Sequence, residues 1–113
     1  MNPKLFNDRK VLIGGKEYRM QLLKFSNGCF LSISEDGVSR LGSIVMAIKV
    51  GERVESKVLI PSKYGGVFLN ILGELVANVT NGIALISYYA SKDLDSNSMR
   101  MLLSEIKDFI CKD

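Results

Sequence analysis

Hydrophobic and polar positions change their period several times along this chain, and the changes divide it into eight candidate elements. The most apolar stretch runs from Leu59 to Ala90. Pro61 cannot sit inside a central strand and Gly65-Gly66 break the chain again, so Val67 to Val79 predicts a helix that begins after them. Its polar residues fall at Asn70, Glu74 and Asn78, a single narrow stripe, which is the pattern of a helix buried on more than one side. Asn81-Gly82 supplies residues that end a helix and turn the chain. Ile83 to Ala90 follows with no alternation, so it predicts a strand covered on both faces at the centre of a sheet.

Residues 1–8 place Pro, two Asn and an Asp around an isolated Leu5-Phe6 and predict a frayed terminus. Lys10 to Ile13 and the alternating run Glu17 to Phe25 predict a hairpin joined by Gly14, Gly15 and Lys16. After Ser26-Asn27-Gly28, the segment Cys29 to Ser34 puts Cys29, Leu31 and Ile33 on one face and its serines on the other, a half-buried strand. Glu35-Asp36-Gly37 turns the chain into Leu41 to Val50, which scarcely alternates and should be covered on both faces. Gly51-Glu52-Arg53 leads to Val54 to Ile60, whose Glu55 and Lys57 point one way, as on an edge strand. Finally Asp93, Asp95 and Ser96 offer helix caps before apolar residues at Met99, Leu102, Leu103, Ile106, Phe109 and Ile110, an amphipathic helix centred on Leu103.

The expected fold is therefore α+β, a single domain over residues 1–113 in the order β-β-β-β-β-α-β-α. Its antiparallel sheet has about six strands, the first five forming a meander, and both helices lie on one face. Two helices cover one face of such a sheet. The strands at 41–50 and 83–90 nevertheless carry large apolar side chains in both directions, so something outside the chain should cover the other face. Alternation along these two strands assigns Met46, Ile48, Ile86 and Tyr88 to that surplus face, as a dimer interface.

Composition narrows the chemistry. The chain has 113 residues, 47% of them hydrophobic, which suits one core. Fifteen Lys and Arg against twelve Asp and Glu give a net charge of +3 without a basic patch, which argues against nucleic acid as a partner. No apolar run has the length of a membrane span or a signal segment, and Cys29 and Cys111 lie far apart. These features point to a reducing cytoplasmic compartment, the nucleus included, and to no membrane partner. With no histidine, Ser-His and Cys-His pairs and imidazole metal ligands are excluded.

Four local patterns are better read structurally than chemically. Asp93-Leu94-Asp95-Ser96-Asn97 resembles the start of a calcium loop, but the sixth position is Ser98 and the twelfth Ser104, so helix capping is the reading. Tyr64-Gly65-Gly66 lacks the Gly-Lys-Ser/Thr ending of a phosphate loop. Cys29 shares a face with Leu31 and Ile33, where thiols are inert. Asn78-Val79-Thr80 is a glycosylation pattern only in a secreted chain. No catalytic, metal or cofactor-binding residue is assigned, and no cofactor is expected.

The sequence resembles the proteasome assembly chaperone 3 family (assembly chaperone 3/4-like). The likeness is carried by Phe25-Ser26 onward to the strand before Gly37, Leu41-Gly42-Ser43-Ile44-Val45, Ser56-Lys57-Val58-Leu59-Ile60, Leu75-Val76-Ala77-Asn78-Val79, Ile83 to Tyr89, and Lys92-Asp93 with Ser98-Met99. It is a likeness of apolar blocks and turns over most of the chain. One departure is the short connection from Val50 to Val54, where a member of the family carries a longer loop. The resemblance implies a non-enzymatic chaperone that pairs with itself or a paralogue and binds proteasome α subunits while they assemble into a ring. On that reading the subunit contact is expected where the turns bearing Glu35, Asp36, Glu52 and Arg53 would gather at one end of the sheet. Two other readings stay open: a profilin-like or roadblock-like interaction scaffold, and a small-molecule-binding or thiol enzyme domain.

Overall fold

Gly14 and Gly15 turn the chain between β1 (Phe6–Ile13) and β2 (Lys16–Phe25), and Ser26-Asn27 turns it into β3 (Gly28–Glu35). These three strands form an antiparallel meander. The remaining elements are β4 (Ser43–Val50), β5 (Arg53–Ile60), α1 (Gly66–Thr80), β6 (Ile83–Tyr89) and α2 (Ser96–Cys111). The computed structural model describes residues 6–36, 38–61, 64 and 66–111. Residues 1–5 of the expected frayed terminus, Gly37 of the third turn and Gly65 of the Tyr64-Gly65-Gly66 break lie outside them. Phe6, Asn7 and Asp8 are not frayed: they pair with Leu23, Leu22 and Gln21 in β1.

The strand order is β1-β2-β3-β6-β4-β5, so the expected five-strand meander is corrected. β6 enters between β3 and β4, parallel to the first and antiparallel to the second. Burial explains why: the strand that is apolar in both directions takes the middle of the sheet, where both flanks are paired. The connection after Asp36 must then pass over the end of β6 to reach β4, and hydroxyls of the sheet hold it there. Ser34 Oγ donates to the Arg40 carbonyl at 3.0 Å, and the Gly42 N–H donates to Ser87 Oγ at 2.9 Å. A Cβ at Gly42 would stand 2.3 Å from the Tyr88 carbonyl oxygen, so only glycine lets this strap lie against β6. β3 is consequently buried on both sides over Leu31 to Glu35 rather than half-buried.

Both helices cover one face. α1 lies over β4, β6 and β5 and packs against α2, which reaches β1. Phe68, Leu69, Leu72 and Val76 of α1, with Leu102, Ile106 and Phe109 of α2, close over Met20, Leu22, Leu31, Ile33, Val45, Ala47, Ala84, Ile86 and Tyr88. Asp95 caps α2, its Oδ1 accepting the Ser98 N–H at 2.7 Å, which is the role the sequence assigned to this acidic segment. The axis of the buried stripe differs from the expected one. Leu102 and Ile106 are fully buried while Leu103 is only partly so, because α2 packs against β1 and against the side of α1 at once.

Candidate protein-interaction face

The register of the sheet builds its other face residue by residue. Directly paired residues of neighbouring strands point the same way, so a row can be followed across all six strands. One such row reads Phe6, Leu23, Phe30, Leu85, Met46, Lys57. The row beside it, toward the Gly28 end, reads Phe25, Gly28, Ile83, Ile48, Glu55. Together they form an apolar belt that ends at charged residues on β5. No helix covers it; Phe6, Phe25, Met46, Ile48 and Ile83 are all exposed. On the other side of the first row lie Asp8, Gln21, Ser32 and Ser87, a polar row partly roofed by the strap at 38–42. Between belt and strap lies an apolar groove of about 280 Å³, walled by Phe6, Leu23, Phe30 and Leu41.

Met46 and Ile48 thus stand on the open face as expected, but Ile86 and Tyr88 do not. Both are buried under the helices, and the Tyr88 ring lies 5.0 Å from Phe68. The pairing of Met46 with Leu85 puts the odd-numbered residues of β6 on the open face. Alternation gives two sets of residues within each strand, but only the register says which set joins which. Phe6, Leu23, Phe30 and Leu85 were missed. The doublet Leu22-Leu23 and the aromatic Phe25 on the otherwise polar side of β2 were the available signal.

The four expected contact residues are not gathered. β3 and β6 run parallel and β4 returns antiparallel, so Glu35 and Asp36 lie at one end of the sheet and Glu52 and Arg53 at the other. Asp36 and Glu52 are exposed, and Arg53 pairs with Glu55 at 2.9 Å. Glu35 is only 2% exposed. Its Oε1 accepts the Ser91 hydroxyl and the Lys16 ammonium, the latter at 3.5 Å, which ties the end of β3 to the segment after β6. Burial pushes this carboxyl up, yet the hydrogen bonds from Ser91 and the charge of Lys16 outweigh it and hold it below the usual glutamate range. A folded-state value below the unfolded one means that the stabilisation is complete above about pH 4.3 and is lost as pH falls through the lower folded value. Glu35→Gln is expected to flatten that acid limb, which urea unfolding between pH 3 and 7 checks. An unchanged limb would remove Glu35 from this role.

At the β1 margin Arg19 Nε donates to Asp8 Oδ1 at 3.1 Å, and this hydrogen bond holds the Asp8 carboxyl below its ordinary value. Arg40 lies 4.9 Å above the Tyr89 ring and donates to its hydroxyl at 2.9 Å, closing the strap end. The buried Cys29 thiol is pushed up to about 11 by desolvation, so it stays protonated at neutral pH. Among the described residues no three acidic or cysteine side chains converge to hold a metal ion, and no helix is long and apolar enough to cross a membrane.

No family model matches the chain. No curated protein matches it either. Among solved structures it is similar to a chain in the crystal structure of a novel chaperone complex for yeast 20S proteasome assembly, with a TM-score of 0.66 and 18% identity. The likeness covers 93% of this chain and 98% of that one, and at this identity it is a likeness of fold.

Proposed function

We propose that this chain is a non-enzymatic assembly chaperone that pairs through its open sheet face with a second copy or a paralogue and holds proteasome α subunits during ring assembly. The observation that carries the reading is the apolar belt without a cover, on a fold shared nearly end to end with a chain of a proteasome-assembly chaperone complex. Six strands about 4.8 Å apart, with about eight residues each, make a face of roughly 700 Å² per protomer, part of it under the strap, against the ~800 Å² that a stable interface takes from each partner. Face-to-face packing would place the two sheets about 10 Å apart with both helix layers outward. The protonated, buried Cys29 weighs against the thiol-enzyme reading.

The subunit contact then falls on the ends and rim that pairing leaves free. Glu52 and Arg53 stay candidates for it, on an exposed turn beside the belt, whereas Glu35 is occupied inside the fold. A contact that later subunits displace should rely on rim charges more than on a single buried anchor. The tagged protein, recovered from its native cell, is expected to bring down α subunits and half-assembled rings but little mature particle. Glu52→Lys with Arg53→Glu is expected to weaken that capture and change its salt dependence while the melting temperature and the pairing stay as they were. A folded, paired bait that recovers no α subunit overturns the reading. Recovery of a small GTPase instead supports the scaffold.

A further inference from the structure

β5 ends the sheet, and the ladder shows which of its backbone groups face outward. The Lys49 N–H donates to the Gly82 carbonyl at 3.0 Å, so Val45, Ala47 and Lys49 direct their backbone groups to β6. Met46, Ile48 and Val50 therefore bond to β5 through their partners Lys57, Glu55 and Arg53. That leaves the N–H and C=O of Val54 and Ser56 and the N–H of Val58 along the free edge, up to the irregularity that follows Val58 where Ile44 meets Ile60. Val58 is 45% exposed although its cross-strand partner Val45 is fully buried, so the helix side of this edge is also short of cover. Exposed edges of this length are commonly guarded or paired.

We propose that β5 pairs antiparallel with β5 of a second copy, about a twofold axis through Ser56. The choice of occupant and register follows from the residues. An outward-facing residue must meet another outward-facing one, so only registers that set even-numbered residues opposite even-numbered ones are open. With Ser56 opposite Ser56, each Glu55 meets Lys57 of the second copy and each Val54 meets Val58. Shifting by one step to bring Glu55 opposite Glu55 also sets Arg53 against Lys57. Shifting the other way sets Lys57 against Lys57. The register with Arg53 opposite Glu55 satisfies its charges but overlaps by only three residues. One register alone joins five paired residues with both charge pairs complementary, and it covers Val58. A twofold closes after two copies, with the helices of both on the same side. The apolar belt is left free, so this contact is independent of face-to-face pairing.

Sedimentation tests it in two backgrounds. Met46→Asp removes face pairing, and this variant is expected to be monomeric at tens of micromolar and dimeric at several hundred. Wild type, in which each face dimer presents two β5 edges, is expected to grow beyond the dimer over the same range. Ser56→Pro deletes only an outward N–H, which an edge strand tolerates, and is expected to abolish the second step in both backgrounds. Lys57→Glu sets like charges together twice and is expected to weaken the step about tenfold, and the swap Glu55→Lys with Lys57→Glu to restore it. The proposal is overturned if Ser56→Pro associates like its parent, if the swap is no better than the single change, if Met46→Asp grows past a dimer, or if the step never occurs. Failure of the face reading shows separately, as wild type with the mass of Met46→Asp at tens of micromolar.

Discussion

Leu102→Asp is expected to unfold the domain. The side chain is fully buried in the cluster that joins α2 to the sheet and α1, and the carboxylate would have no cationic partner there. Loss of a buried leucine costs about 2 to 5 kcal/mol before any penalty for the charge. A domain of this size has about 5 to 15 kcal/mol in all, and the unpaired carboxylate adds several more to the loss. Lys107 on the exposed side of the same helix serves as the control, since Lys107→Ala is expected to change stability by only about ±0.5 kcal/mol. Leu103→Asp falls between the two because Leu103 is partly buried. Chemical denaturation of the three variants gives the phase of α2 directly. A ranking with Leu103 as the costliest would rotate the helix back to the phase that its sequence suggests.

That difference of phase shows what the sequence held and what it did not. The eight elements were legible in kind, though the first half of β1 was read as frayed, because turn and cap residues set them off: Pro61 before α1, Asn81-Gly82 after it, Asp95 at the cap of α2. Which face of α2 is deepest depends on two neighbours at once, and the spacing of its apolar residues describes only one stripe. The order of strands was misread for a similar reason. Short turns suggested a meander, whereas the connection between β3 and β4 is held by Ser34 and Ser87, two hydroxyls far apart in sequence that become neighbours only once β6 is inserted.

The surplus of apolar surface was legible as a quantity but not as a map. Strands 41–50 and 83–90 were expected to need cover on both faces, and β4 does carry exposed Met46, Ile48 and Val50 opposite buried Val45 and Ala47. Placing Ile86 and Tyr88 beside Met46 required the offset between β4 and β6, and nothing local sets it. A slip of one residue in that offset exchanges the two faces. Glu35 and Arg53 could not have gathered at one end in either order, because the single strand β4 lies between their turns and successive turns fall at opposite ends of a sheet. Glu35 was read as a turn residue open to contact because its partners, Lys16 and Ser91, come from the start of β2 and from the segment after β6.

Met46→Asp is expected to yield a folded protein that no longer pairs through its face. Met46 is 39% exposed in the single chain, so the carboxylate remains hydrated there and the melting temperature should shift little. Face-to-face pairing removes that water. Met46 sits in the row with Phe30 and Leu85, on the last apolar strand before Lys57, and the proposed pairing would enclose a carboxylate there among apolar side chains on every side but that one. Twofold symmetry buries the new charge once on each side, and a desolvated charge of this kind weakens association by about 2 kcal/mol or more, roughly 30-fold in the dissociation constant. Met46→Leu keeps the volume and the apolar character and is expected to pair like wild type. Ile86→Asp gives the contrast that fixes the face, because Ile86 is fully buried under the helices and its loss should unfold the chain rather than separate two folded ones. Sedimentation and thermal unfolding of the three variants at tens of micromolar decide the matter. If Met46→Asp stays paired, the belt is covered by something other than this pairing; if Ile86→Asp is a folded monomer, the two faces have been exchanged.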